Sequence, residues 1–247
     1  MKKLFAKAFL GLCALGTSTV AFAQDAADAA TAVEGGMYQA LKTKFIEGGA
    51  DFMSLVAIAL IFGLAFCLER IIYLNLAETN SSKLLKGIEE ALDKGDVEAA
   101  KAIARDTRGP IASIAYQGLM RIDQGVDVVE RSIVSYGGVQ GGLLEKNLSW
   151  VTLFIAMAPS LGFLGTVVGM IMAFDKIEQV GDISPTVVAG GMKVALITTV
   201  GGLIVALILQ IFYNYLLSKL ESLLNQMEDA SISLIDLVIK YNLKFKK

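Results

Sequence analysis

The residues of this sequence with the clearest chemical potential are three threonines inside long apolar stretches. Thr166 lies in APSLGFLGTVVGMIMAF, and Thr198 and Thr199 lie in GGMKVALITTVGGLIVALILQIFYN. Thr166 lies eight residues before Phe174, and Thr199 lies eight residues after Gly191, at the span ends that face the connecting loop. At 1.5 Å rise per residue, both hydroxyls would lie about 12 Å deep in helices of opposite direction.

Small residues accompany these threonines on one helical face. At 100° per residue, the small residues of the first stretch form a stripe with Thr166, and those of the second form a stripe with Thr199. Such stripes let membrane helices approach closely and associate. A proline inside the first stretch frees a backbone carbonyl and is expected to bend the helix. We therefore predict helix-packing roles for Pro159, Gly162, Gly165, Gly169, Ala195 and Gly202.

The threonines admit two interpretations. In the first, each hydroxyl bonds the carbonyl four residues earlier and merely fills a helix contact. In the second, Thr166, Thr198 and Thr199 line a pore, and a ring of such hydroxyls in an oligomer supports a water or proton path. Neither stretch contains Asp or Glu in its interior, whereas a proton relay needs a titratable group. Under the second interpretation, a partner protein must therefore supply the acid.

The composition argues against several functional classes. The 247 residues contain no histidine, which removes Ser-His and Cys-His catalysis and the commonest metal ligand. No nucleophile–base pair or metal-ligating cluster is visible, so we predict neither an enzyme nor a bound cofactor or metal. The formal net charge of −2 gives no basic excess for binding nucleic acid.

Hydropathy indicates a membrane protein. Hydrophobic residues make up 55% of the chain, and the mean hydropathy is +0.60, which is too apolar for an ordinary soluble domain. Because a helix needs roughly 20 residues to cross the hydrocarbon core, we predict transmembrane helices at 52–74, 149–174 and 191–217. Glu69 and Arg70 are expected to anchor the first span at the membrane interface rather than form a buried pair.

The segments outside the spans differ in charge and periodicity. Residues 1–23 have the basic start, apolar stretch and A-x-A site of a signal peptide; an uncleaved fourth span is the alternative. The other predicted segments are a periplasmic N-terminal segment at 24–51, a cytoplasmic helical domain at 75–148, a periplasmic loop at 175–190 and an amphipathic cytoplasmic helix at 218–247.

The segment 75–148 carries apolar residues at helical spacing among many charges. Within it, Asp96 follows a glycine and is expected to cap a helix, and Gly109-Pro110 is expected to end one helix and start another. A further helix from about Val126 is expected to continue into the second span.

The distribution of basic residues predicts the orientation. Nine Lys or Arg residues lie in 75–148 and five follow residue 217, whereas the loop 175–189 holds one, Lys176. The positive-inside rule places the basic segments in the cytoplasm. A cleaved signal peptide places the N-terminus outside, which agrees with three spans and a cytoplasmic C-terminus. We predict an all-α membrane protein whose three transmembrane helices extend into a cytoplasmic helical bundle.

Two segments together resemble a known family. AMAPSLGFLGTVVGMIMAF at 156–174 and GMKVALITTVGGLIVALILQIFYN at 191–214 are similar to the two distal spans of the MotA/TolQ/ExbB proton-channel family. The first span and the cytoplasmic segment agree more loosely. Some members place a Glu just before the Ala-Leu of the last span, where this chain has Val194. A role for a carboxylate at that position is therefore unsupported here.

The resemblance implies a ring-like homo-oligomer, a homopentamer around a central pore in the bacterial inner membrane. In the family, single helices of an ExbD or TolR dimer stand in that pore and carry an essential aspartate, and proton flow energises outer-membrane processes through TonB or TolA. The family's pore threonines correspond to Thr166 and Thr199. The N-terminal extension with its signal is more like ExbB than TolQ.

Other functions remain open at this point. The chain could be a TolQ-like or a gliding or flagellar-type stator subunit that drives a different load. It could also be a structural membrane scaffold whose small-residue faces only assemble helices.

Overall fold

The computed structural model describes residues 36–181 and 185–245, and within these ranges the fold is all-α, as predicted. The predicted signal peptide lies outside the described residues. The helices are α1 (Met37–Glu47), α2 (Ala50–Ala77), α3 (Ser81–Asp93), α4 (Val97–Asp106), α5 (Pro110–Leu119), α6 (Val126–Glu145), α7 (Leu148–Val180) and α8 (Pro185–Phe245), with a short 3-10 turn at Ile122–Gln124.

Three of these helices, α2, α7 and α8, are long and apolar enough to cross a membrane. The mean hydropathy of their most apolar 18-residue windows is 2.4, 1.9 and 2.4, respectively. Each helix exceeds the roughly 20 residues that the hydrocarbon core requires. The exact span boundaries within these helices stay predictions.

The three long helices form one packed unit. Helix α8 lies antiparallel along α7, and α2 packs against both. Aromatic rings join α2 to α7, since the Phe62 and Phe154 ring centroids lie 6.2 Å apart and those of Phe66 and Trp150 lie 5.8 Å apart. Gly63 permits the close approach of α8, because a Cβ there would lie 2.6 Å from Leu209 Cδ1.

A layer of shorter helices, α3 to α6, packs against the C-terminal half of α8. The predicted cap is confirmed, because Asp96 Oδ1 accepts a hydrogen bond of 2.9 Å from Ala99 N at the start of α4. The predicted break at Gly109-Pro110 is also confirmed: Gly109 has φ +116°, and Pro110 is the first residue of α5.

The last two predicted segments, 191–217 and 218–247, belong to a single helix. Helix α8 runs for 61 residues, or roughly 90 Å at 1.5 Å per residue. No glycine or proline follows Gly202, so nothing in the sequence ends the helix. At the other end, α7 continues to Val180, which leaves only residues 181–184 between α7 and α8.

The expected continuous helix from Val126 into the second span is wrong at one point. Helix α6 ends at Glu145, and Asn147 has φ +67°, a left-handed conformation that breaks the helix before α7 begins. The asparagine suits this position because its side chain tolerates that conformation better than most residues do.

The expected interfacial anchor at Glu69-Arg70 is also wrong for Arg70, which is only 1% exposed. Its Nη2 donates a hydrogen bond of 2.5 Å to the Leu144 carbonyl, and its guanidinium lies 4.5 Å from the Tyr73 ring centroid. The last carbonyls of a helix lack helical partners, so this cation satisfies one at the end of α6. Glu69 stays exposed and accepts a 3.3 Å hydrogen bond from Asn147 Nδ2.

Candidate functional site

The predicted small residues lie where α7 and α8 come closest. A Cβ on Gly162 would lie 2.9 Å from the Thr198 carbonyl oxygen, and one on Gly202 would lie 2.5 Å from the Ala158 carbonyl oxygen. Gly169 faces the backbone of Ala195 at 3.4 Å. Only residues without large side chains allow two helix backbones to approach this closely.

All three predicted threonines converge on one backbone oxygen of α8. The Ala195 carbonyl accepts hydrogen bonds from Thr198 Oγ1 at 2.8 Å, from Thr166 Oγ1 at 3.1 Å and from Thr199 Oγ1 at 3.3 Å. Thr166 and Thr199 also bond each other through their hydroxyls across the helix pair. We call these three residues, together with the Ala195 carbonyl, the threonine cluster.

A second carbonyl completes the cluster from α7. The Gly162 oxygen accepts from Thr166 Oγ1 and from Thr199 Oγ1, each at 3.3 Å. Each hydroxyl has one proton but two or more acceptors within reach, so the donors can exchange partners by rotation about the C–O bond. The two interpretations of the threonines therefore coexist: each hydroxyl bonds its own helix, and two of them also bond across helices.

The three threonines differ in exposure within the single chain. Thr198 is fully buried, and a Cβ on Gly165 would lie 2.9 Å from its hydroxyl oxygen. Thr166 and Thr199 are partly exposed at the surface of the α7–α8 pair. Their access to a lumen, and that of Thr198, remain predictions.

Pro159 lies inside α7, which stays helical from Leu148 to Val180. A proline has no N–H to donate, so the carbonyl four residues earlier, on Ile155, loses its helical partner. This lost bond lies within one turn of Gly162, where α7 meets α8. The bend expected at this position stays a prediction.

The carboxylates of the long helices lie near their ends. Glu47, at the end of α1, forms a 3.0 Å ion pair with Lys193 near the start of α8. Hydrogen bonds from Lys44 and then from Lys193 hold the pKa of Glu47 below its usual value. Among the described residues, no group of three or more His, Cys, Asp or Glu side chains is placed to hold a metal ion.

Sequence reasoning identified the threonines but missed their shared acceptor. The i−4 spacing of Thr199 and the i−3 spacing of Thr198 both point to the Ala195 carbonyl, so part of the convergence was readable from the sequence. The bond from Thr166 to the same oxygen depends on how α7 and α8 are packed, which spacing along one helix does not give.

Comparisons with known proteins agree with this arrangement. The model of the MotA/TolQ/ExbB proton channel family matches residues 106–229, which include α6, α7 and the threonine cluster. A putative biopolymer transport protein ExbB homolog of Methanothermobacter thermautotrophicus is 29% identical over 186 residues, or 74% of this chain and 65% of the relative.

Two bacterial relatives match over shorter stretches. The biopolymer transport protein exbB1 of Vibrio cholerae is 37% identical over 33% of this chain and 39% of its own length. The biopolymer transport protein ExbB of Aquifex aeolicus is 36% identical over 32% of this chain and 53% of its own length. The match thus covers less than two thirds of each of these three relatives.

The three apolar helices and these relatives together indicate a multi-pass membrane protein. The family match covers half of the chain, and the relatives named above carry the ExbB name. The chain therefore belongs to the MotA/TolQ/ExbB proton channel family and is ExbB-like within it.

Proposed function

We propose that this chain is a proton-channel stator subunit of a bacterial inner-membrane complex. The complex couples the proton-motive force to TonB-dependent transport across the outer membrane. An ExbD-like single-span dimer supplies the proton-carrying aspartate, and a TonB-like protein carries the motion onward. The family match and the ExbB names of the relatives support this assignment.

The observation that carries the proposal is the bond between the Thr166 and Thr199 hydroxyls at the centre of two apolar helices. Either oxygen can donate while the other accepts, so the pair offers both a donor and an acceptor to a neighbouring water or acid. A hydroxyl pair holds no exchangeable charge of its own at neutral pH. The acid must therefore come from a second protein.

The assembly is proposed on the same basis. Copies of this chain form a homopentameric ring in which α7 and α8 surround the pore and α3 to α6 form the cytoplasmic bundle. Large apolar side chains on the long helices stay exposed in the single chain, including Phe163 and Leu207, both 65% exposed. Neighbouring copies and lipid cover such surfaces. The loop between α7 and α8 then faces the periplasm, and the C-terminus faces the cytoplasm.

The test is proton uptake into liposomes that hold the chain together with its ExbD-like partner. We expect Thr199→Val and Thr166→Val each to reduce the uptake rate about tenfold or more, since a loss of roughly 1.4 kcal/mol corresponds to a factor of ten. The matched control is Thr152→Val, because Thr152 lies in the same helix and bonds only the Leu148 carbonyl at 3.3 Å. Normal uptake by both cluster variants in an intact oligomer would refute the proposal.

A purely structural scaffold is the second candidate, and one observation favours it. Every hydroxyl of the threonine cluster already has an acceptor inside the chain, as a helix-packing role alone requires. A scaffold predicts that the same variants weaken the oligomer without changing proton uptake per oligomer. A TolQ-like or gliding-type stator predicts normal uptake but a different load. Co-purification with a single-span partner that carries an intramembrane aspartate, followed by native mass measurement, separates these cases.

A further inference from the structure

A cleft of about 480 Å³ opens where α7 ends and α8 begins, which we call the loop end of the unit. The first turn of α2 closes its third side. Its lining includes Asp51 and Lys176 at the mouth, Gly169 and Gly190 along the walls, and Gly165 and Val194 at the floor. From Lys176 to Gly165 the cleft follows eleven residues of α7, or about 16 Å of helix.

The floor of the cleft touches the threonine cluster. Thr198 Oγ1 donates to the Val194 carbonyl at 3.1 Å. A Cβ on Gly165 would lie 2.9 Å from the same hydroxyl oxygen, so only the bare glycine backbone separates the cleft from Thr198 at this point. Thr198 is thus the member of the cluster on the cleft side. Its bond to the Ala195 carbonyl connects it to Thr166 and Thr199.

The mouth of the cleft is charged. Asp51 and Lys176 are both exposed, and neither forms an ion pair within residues 36–181 and 185–245. A charged side chain in a helix at the bilayer centre costs roughly 3 kcal/mol, so unpaired charges are found where water reaches them. The neighbouring Lys193 differs in this respect, because it is paired with Glu47 at 3.0 Å.

The wall of the cleft is open at Gly190. A Cβ at this position would meet no atom within 4 Å, although the residue lines the cleft. The glycines along the walls leave backbone groups available to hydrogen-bond water. An apolar cavity lined only by large side chains would offer no such groups.

We propose that this cleft is a water-filled vestibule through which hydronium ions reach the threonine cluster from the loop end. The proposal rests on the proton-channel function proposed above. Asp51 and Lys176 keep the mouth hydrated, and Thr198 is the first hydroxyl that entering water meets. The proton leaves the water chain for the partner's carboxylate, and no group of this chain is chemically changed.

The first test measures whether the cleft is wet. Val194→Cys and Gly190→Cys are introduced into the full chain in which Cys13 and Cys67 are replaced by serine. The variants are treated in membranes, with the partner present, with a charged thiol reagent that does not cross the bilayer. We expect both to react from the loop-end side at rates within about tenfold of Asp175→Cys, which lies near that end. Ile61→Cys, on the exposed apolar surface of α2, should not react.

The second test blocks the cleft. Gly190→Leu should lower proton uptake at least several-fold without changing the oligomer, because the new side chain fills open space rather than displacing a neighbour. Ala189→Leu is the matched control, since Ala189 is exposed on the same helix but does not line the cleft.

The outcomes separate the two proposals. Unreactive Val194→Cys and Gly190→Cys, or normal uptake by Gly190→Leu while Thr199→Val is inactive, would overturn the vestibule and leave the channel function standing. Normal uptake by Thr199→Val and Thr166→Val would remove the channel function and, with it, the vestibule's role. A cleft filled by lipid gives the first pattern, because thiols in an apolar space do not ionise.

Discussion

At the scale of single residues, the Ala195 carbonyl is the centre of the site although alanine has no functional side chain. Three hydroxyls reach it because two threonines follow it in α8 at the spacing of one helical turn and a third comes from α7. Each interhelical hydrogen bond of this kind contributes on average about 0.6 kcal/mol in a membrane protein. The cluster therefore contributes modestly to stability and is suited to rearrangement.

The glycines beside the cluster should tolerate no side chain. We expect Gly165→Ala to lower the free energy of unfolding in detergent micelles by roughly 1–3 kcal/mol, because its Cβ would lie 2.9 Å from the Cβ of Thr198. Gly142→Ala is the control: a Cβ on Gly142 in α6 meets no atom within 4 Å, so it should gain roughly 0.5–1 kcal/mol of stability. Equal effects of the two substitutions would contradict the close packing of α7 on α8.

At the scale of helices, the junction between α6 and α7 depends on long-range contacts. Asn147 breaks the helix, and the two residues of the Glu69-Arg70 pair bind on either side of the break, at Leu144 and at Asn147. The sequence showed this pair as a typical interfacial motif. Its burial followed only from the packing of α2 against the end of α6, residues that lie 74 positions apart.

Removal of the Arg70 guanidinium should loosen this junction. Arg70→Met keeps the apolar stem but loses a hydrogen bond from a charged donor, which is worth roughly 1.5–3 kcal/mol. We expect faster amide hydrogen exchange over residues 141–147 and unchanged exchange in α3. Arg105→Met serves as the control, because Arg105 is exposed and its only ion pair is with its neighbour Asp106. Unchanged exchange in 141–147 would show that Arg70 does not hold the junction.

At the scale of the whole molecule, one helix joins the membrane unit to the α3–α6 layer. Helix α8 packs on α7 near its start and on α3, α5 and α6 farther along. Near its end, Lys240 pairs with Glu89 at 3.0 Å and with Asp93 at 3.2 Å. The cluster and the C-terminal contacts thus belong to the same rigid element, so a shift of α8 at one end moves the other.

These C-terminal ion pairs predict a dependence on alkaline pH. Hydrogen bonds to Glu89 and then to Asp93 raise the pKa of Lys240 above its usual 10.5. A raised pKa in the folded state adds stability that is complete below pH 10.5 and is lost as the pH rises through the folded value. We expect Lys240→Gln to melt earlier than the parent chain at pH 9 and at the same temperature once the pH exceeds the raised pKa. A difference that persists at high pH would contradict this assignment.

The sequence alone determined the helical class, the three apolar stretches, the Asp96 cap, the Gly109-Pro110 break and the family. These features depend on local propensity and on periodicity, which each segment carries by itself. Only the tertiary structure decided that three hydroxyls share one carbonyl, that Arg70 is buried, that α8 is one helix and that a cleft reaches Thr198. The reason is physical: hydrogen bonds between helices, burial and open space arise from the relative placement of segments far apart in the chain, and no single segment encodes that placement.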